Sequence, residues 1–131
     1  MPSAPGNVLD AGALAALRAL DPTGAGKLLE RILAAFQNST GRLVPRLHAA
    51  CLSGDATTVR EVAHTLKSSS ASIGALGLSR LCANVETMIR NGFTGPLEPH
   101  VTALDAEIAI VLNALEKLLR TDQETTPDAG A

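Results

Sequence analysis

From Val101 to Leu118 the apolar residues Val101, Leu104, Ile108, Val111, Leu115 and Leu118 fall 3, 4, 3, 4 and 3 positions apart. A strand would repeat its inward side chains every second residue, so this spacing is the buried stripe of a helix. Its period of about 3.5 suits a helix packed along its neighbours. Similar stripes recur upstream, through Leu29, Ile32, Leu33, Phe36, Leu43 and Leu47, and through Leu78, Leu81, Cys82, Val85, Met88 and Ile89. A shorter one joins Leu14, Leu17 and Leu20. Composition agrees: 22 Ala and 20 Leu stand against two Phe and no Trp or Tyr, which favours helices over a sandwich or barrel. The chain is 131 residues long and 46% apolar, enough for one core but not for a large enclosed pocket as well. The expected fold is all-α, an antiparallel four-helix bundle with a short N-terminal capping helix.

Local signals set the boundaries. Asp10 is a natural N-cap, and Asp21-Pro22 ends the first helix. The second is expected from about Gly26 to Leu52, with a kink or break between Asn38 and Pro45, because the Pro45 ring crowds the carbonyl of Gly41. Ser53-Gly54-Asp55 stops that helix and starts a third, which runs to about Ile73 and is closed by Gly74. The fourth spans about Leu76 to Asn91 and ends at Asn91-Gly92, and the fifth starts near Leu97. Residues 1–7 and 121–131 lack apolar periodicity and are expected to be disordered, leaving 8–120 as the domain.

Eleven basic and thirteen acidic residues give a net charge of −2. With so few aromatic rings for stacking, that balance argues against a nucleic-acid partner. Cys51 and Cys82 are too few for a secreted disulfide scaffold, no apolar run is long enough to cross a bilayer, and residues 1–7 do not read as a signal peptide. The expectation is a cytoplasmic protein, not bound to a membrane, and the charge balance leans towards a monomer.

On a helical wheel at about 100° per residue, Val62, Ala63, Leu66, Ser70 and Ile73 cluster within about 60° of Val59 and define the buried face of the third helix. His64 falls about 140° from Val59, near the opposite side. Arg60, Lys67 and Ser68 lie within one turn of it. An outward histidine on its own is usually a bystander. Here, however, Leu66 and Ile73 keep the core register across Ser68-Ser69-Ser70-Ala71-Ser72, so the helix continues through the serines and small side chains leave the imidazole approachable. A neutral imidazole at pH 7 is a ready nucleophile, and Lys67 puts a cation beside any anion on the ring.

The segment Ala63-His64-Thr65-Leu66-Lys67-Ser68-Ser69-Ser70-Ala71-Ser72-Ile73-Gly74-Ala75 resembles the signature of histidine-containing phosphotransfer (HPt) domains, roughly AHxLKGSSxxxGA. Ser53-Gly54-Asp55 resembles the turn before the family's histidine helix, and Leu78, Leu81, Cys82 and Glu86 resemble the run that follows it. The resemblance implies a phosphorelay intermediate. His64 would accept a phosphoryl group, at Nε2, from the phosphoaspartate of a response-regulator receiver domain and pass it to another receiver aspartate. Lys67 would neutralise phosphoryl charge, and Ser68 would offer a hydrogen bond and shape docking. Arg60, otherwise a solvated charge, and Ala71 would lie in the partner-binding surface. The partners implied are receiver domains and a hybrid sensor histidine kinase. No cofactor or metal is expected on this chain, the Mg²⁺ belonging to the receiver. Ser68 departs from the family pattern, which has Gly at that position.

Other motifs are weaker. Gly24-Ala25-Gly26-Lys27 is like the end of a phosphate-binding loop, but Asp21 and Leu28 stand where Gly and Ser or Thr are needed, so no autonomous kinase activity is expected. His48, Cys51, His64, Cys82 and His100 match no standard zinc spacing. The competing functional class is a non-catalytic helical scaffold or adaptor of HPt ancestry that binds receiver or kinase domains without phosphotransfer.

Overall fold

The computed structural model describes residues 8–125. The segments 1–7 and 126–131, both expected to be disordered, lie outside the described residues. Five helices follow one another, α1 (Ala11–Ala19), α2 (Leu28–Ser53), α3 (Ala56–Ser72), α4 (Leu76–Arg90) and α5 (Glu98–Thr125), with no strand among the described residues. Contacts between elements link α2 to α3, α3 to α4, α4 to α5 and α5 back to α2, with α1 against α2. The stripes meet in one core that includes Leu33, Leu47, Val59, Leu66, Leu78, Leu104 and Leu115, all fully buried, except that Leu20, the last of the short first stripe, is exposed.

Caps explain most helix ends. Asp10 accepts from the Ala13 N–H at 2.8 Å to begin α1, and Asp55 accepts from the Thr58 N–H at 3.1 Å and its hydroxyl at 2.6 Å to begin α3. Gly54, at φ +71°, closes α2 in the left-handed region that glycine enters without a Cβ penalty. The start of α2 falls two residues later than expected. The Asp21 carboxylate reaches across and accepts from the N–H groups of Gly26 and Leu28, at 3.4 and 3.2 Å. The loop that is like a phosphate cradle therefore already holds an anion of its own chain.

No break interrupts α2 near Pro45, and the segment is one helix of 26 residues. Proline in a helix interior costs about 3 kcal/mol. Phe36, Thr40, Leu43, Leu47 and Ala50 are buried on both sides of it, and each large side chain returns about 1.5–3 kcal/mol. Gly41 and Pro45 lie on the exposed side, where water can satisfy the carbonyl that lost its donor. Helix α5 also departs from expectation, running to Thr125 although the apolar spacing fails after Leu118. Once a helix is nucleated and packed, polar residues extend it without a buried stripe.

The serine run remains helical because Leu66, Ser70 and Ile73 stay buried in register across it, and two of its hydroxyls turn back on the helix's own carbonyls. Ser69 donates to Thr65 O and Leu66 O, at 3.2 and 3.3 Å, and Ser72 donates to Ser68 O at 3.0 Å. Ser79 on α4 donates to the carbonyl of Lys67 at 2.9 Å, tying α4 to α3 beside the outward histidine.

Candidate functional site

His64 emerges from α3 with its side chain 63% exposed, while its neighbour Ala63 is fully buried. Ser68 and Ala71 are exposed on the same helix, and Arg60 is half-buried. Arg60, Glu61, His64, Thr65, Glu86 and Arg90 line a shallow depression. The structure thus brings Arg60 to the histidine's side, while Ser68 and Ala71 lie further along α3, outside that depression.

At its floor lies Glu86, whose side chain is only 4% exposed. It occupies the buried stripe of α4, with Leu78, Cys82 and Val85. A carboxylate at such a position must be paired, and three side chains pair it. Lys67 Nζ donates to Oε1 at 2.6 Å. On Oε2 converge His64 Nδ1 at 2.5 Å and a guanidinium nitrogen of Arg90 at 2.9 Å. Lys67 comes from one turn beyond His64, and Arg90 from one turn beyond Glu86, so all four groups belong to α3 and α4.

Charge fixes the proton's place. The Lys67 ammonium and then the His64 N–H hold the Glu86 carboxyl down to about 2, against burial, which works in the opposite direction. An ionised carboxylate only accepts, so Nδ1 of His64 carries the hydrogen of their bond. In the neutral ring Nε2 then keeps the lone pair, and the exposed imidazole offers it outward. The folded state binds the Glu86 proton more weakly than the unfolded chain, whose value lies near 4.5. The stabilisation is therefore complete above about pH 4.5 and is lost as the pH falls through about 2. Glu86→Gln should flatten the acid limb of stability against pH in this window, as measured by urea unfolding at a series of pH values. An unchanged limb would show that Glu86 contributes nothing to acid lability.

The sequence reading placed His64 and Lys67 together but gave Glu86 no role and did not consider Arg90. The available signal was an acidic residue inside an apolar stripe with a cation four positions later. The other metal-binding candidates are dispersed. His48 Nε2 pairs with Asp105 Oδ2 at 2.5 Å between α2 and α5, and His100 packs edge-on to Phe93 at 5.2 Å. Cys82 is fully buried. Burial, and then the Glu86 charge, push its thiol up to about 12, well away from reactive thiolate character. Among the described residues no three His, Cys, Asp or Glu side chains gather as a metal site would require. No described helix is long and apolar enough to cross a membrane.

The Hpt domain profile matches residues 31–126. The structure is similar to the crystal structure of histidine-containing phosphotransfer protein B (HptB) from Pseudomonas aeruginosa PAO1, with a TM-score of 0.72 and 28% sequence identity. The likeness covers 91% of this chain and 98% of that one. A comparison with curated proteins returned no match. With its profile match spanning residues 31–126, the chain belongs to the Hpt domain family.

Proposed function

We propose that this protein is a phosphorelay carrier in which His64 takes a phosphoryl group from a receiver-domain phosphoaspartate and gives it to another receiver aspartate. The observation that carries the reading is the Glu86 bond to His64 Nδ1. It selects the tautomer with a nucleophilic Nε2 on an exposed ring. In the transfer, Nε2 attacks phosphorus in line, a P–N bond forms, and the P–O bond to the receiver's aspartate breaks. The aspartate leaves as a carboxylate on the receiver. The ring becomes a phospho-imidazolium that keeps its Nδ1 proton, facing Glu86. Positioning and charge neutralisation supply most of the rate in such transfers. The receiver contributes Mg²⁺, and this chain contributes Lys67, one turn beyond His64 on α3, to neutralise phosphoryl charge.

Ser68, Ala71 and Arg60 would form the surrounding docking surface, with the Ser68 hydroxyl within a turn of the phosphoryl group. We also propose that α2 to α5 form an antiparallel four-helix bundle capped by α1, the neighbour order α2-α3-α4-α5 supporting it. An exposed His64 ring bonded to Glu86, with Lys67 on the same carboxylate, supports a carrier role over a plain scaffold.

The test is incubation with radiolabelled phosphorylated receiver domains and Mg²⁺. The wild type should gain acid-labile, base-stable label and His64→Ala none. Equal labelling of the two, or no label on the wild type across a panel of receivers, would sink the proposal and leave the scaffold reading.

A further inference from the structure

Glu86 is held by two full cations where one would balance it. Lys67 reaches Oε1 from α3, and Arg90 reaches Oε2 from the next turn of α4. With His64 neutral, the cluster of Glu86, Lys67 and Arg90 carries a net charge of +1. The two cations are not equivalent. The Lys67 ammonium is a compact charge on a flexible stem, able to rotate between acceptors, whereas the Arg90 guanidinium is a planar fork. Arg90 also shares a helix with Glu86 at a spacing of four residues, so its bond survives any small movement between α3 and α4.

Resting on the reading of His64 as the phosphoacceptor, we infer that Arg90 is a positioning residue that frees Lys67 for the phosphoryl group. A phosphoryl group on Nε2 brings up to two negative charges to the same face, and Lys67 moves its ammonium towards them. Without a second cation that movement would strip a carboxylate that is 4% exposed of its main partner, which is costly in a desolvated setting. Arg90 stays behind and, with the Nδ1 hydrogen, keeps Glu86 ionised and in place. Lys67 acts on the phosphoryl group, while Arg90 acts only through Glu86 and Lys67.

The test compares transfer from one phosphorylated receiver to wild type, Lys67→Met, Arg90→Met and Arg90→Lys. Each single variant leaves at least one cation on Glu86, and circular dichroism checks that each one folds before its rate is compared. Phosphoramidate, a small phosphoryl donor, labels His64 without a receiver and checks that the ring remains reactive. Each methionine variant should slow transfer about ten-fold, and Arg90→Lys should restore most of the rate. The Lys67 ¹⁵Nζ resonance should shift on phosphorylation in the wild type and stay put in Arg90→Met. Wild-type rates in Arg90→Met, or a Lys67 resonance that shifts on phosphorylation in Arg90→Met as it does in the wild type, would overturn the inference while leaving His64 as phosphoacceptor. Failure of the wild type to take label would overturn both.

Discussion

Replacing Glu86 by alanine should slow phosphoryl transfer to His64 about a hundred-fold while leaving the protein folded. The kinetic loss has two sources. His64 would no longer be held in the Nδ1–H tautomer, and the positive charge that develops on the ring would lose the carboxylate 2.5 Å away. Glu86→Gln keeps an acceptor for Nδ1 but not the charge, and should fall between, about ten-fold slower than wild type. Stability should change much less. Breaking a buried pair is severe when the orphaned partner stays buried, but Lys67 and Arg90 are 34% and 58% exposed and can rehydrate. The expected cost is about 1 kcal/mol. Single-turnover transfer from a phosphorylated receiver, with urea unfolding of the same samples, separates the two effects. An alanine variant that transfers at the wild-type rate would remove Glu86 from the mechanism.

The second large effect concerns the turn between α3 and α4. Gly74 sits at φ +80°, where its carbonyl accepts the Asp10 N–H at 2.7 Å and joins the start of α1 to the site hairpin. A Cβ built there would lie 3.0 Å from Ala13 Cβ, 3.1 Å from Asp10 N and 3.2 Å from Asp10 O. Two of those atoms are backbone and cannot swing aside. Strain at a left-handed residue and displacement of α1 therefore add, and Gly74→Val should cost about 3 kcal/mol. That corresponds to roughly a 10 °C drop in Tm for a domain of this size. Gly74→Ala should show about half of that loss, and calorimetry of the two variants would check the order. A loss below about 0.5 kcal/mol for valine would mean that α1 is free to move off the turn.

The features legible in the sequence were those governed by periodicity. The stripes of α2, α4 and α5 and the buried face of α3 lie where the spacing put them, and His64 is exposed as its wheel angle required. A break at Pro45 was expected because the proline's local cost is visible in the sequence, while the burial of Phe36, Leu43 and Leu47 that carries the helix through it is not. Glu86 was missed for a related reason. Pairwise spacing within one helix can join His64 to Lys67, but only the packing of α4 on α3 brings a carboxylate from 22 residues away under the imidazole. Glu107, also buried in α5, shows that an acidic residue in an apolar stripe marks a partner without naming its function.

The close joining of α3 and α4 by the Gly74 turn also bears on how the molecule comes together. Every side chain bonded to Glu86 comes from within 22 positions in the chain, whereas the His48–Asp105 pair that links α2 to α5 must close 57. Loop closure is entropically cheaper for the shorter span, and topologies rich in near-neighbour contacts fold fastest. His64 and its supports thus form a low-contact-order unit that can assemble as a helical hairpin before α5 completes the core. A nascent chain would need to expose only α3, α4 and their turn to possess all four groups of the site.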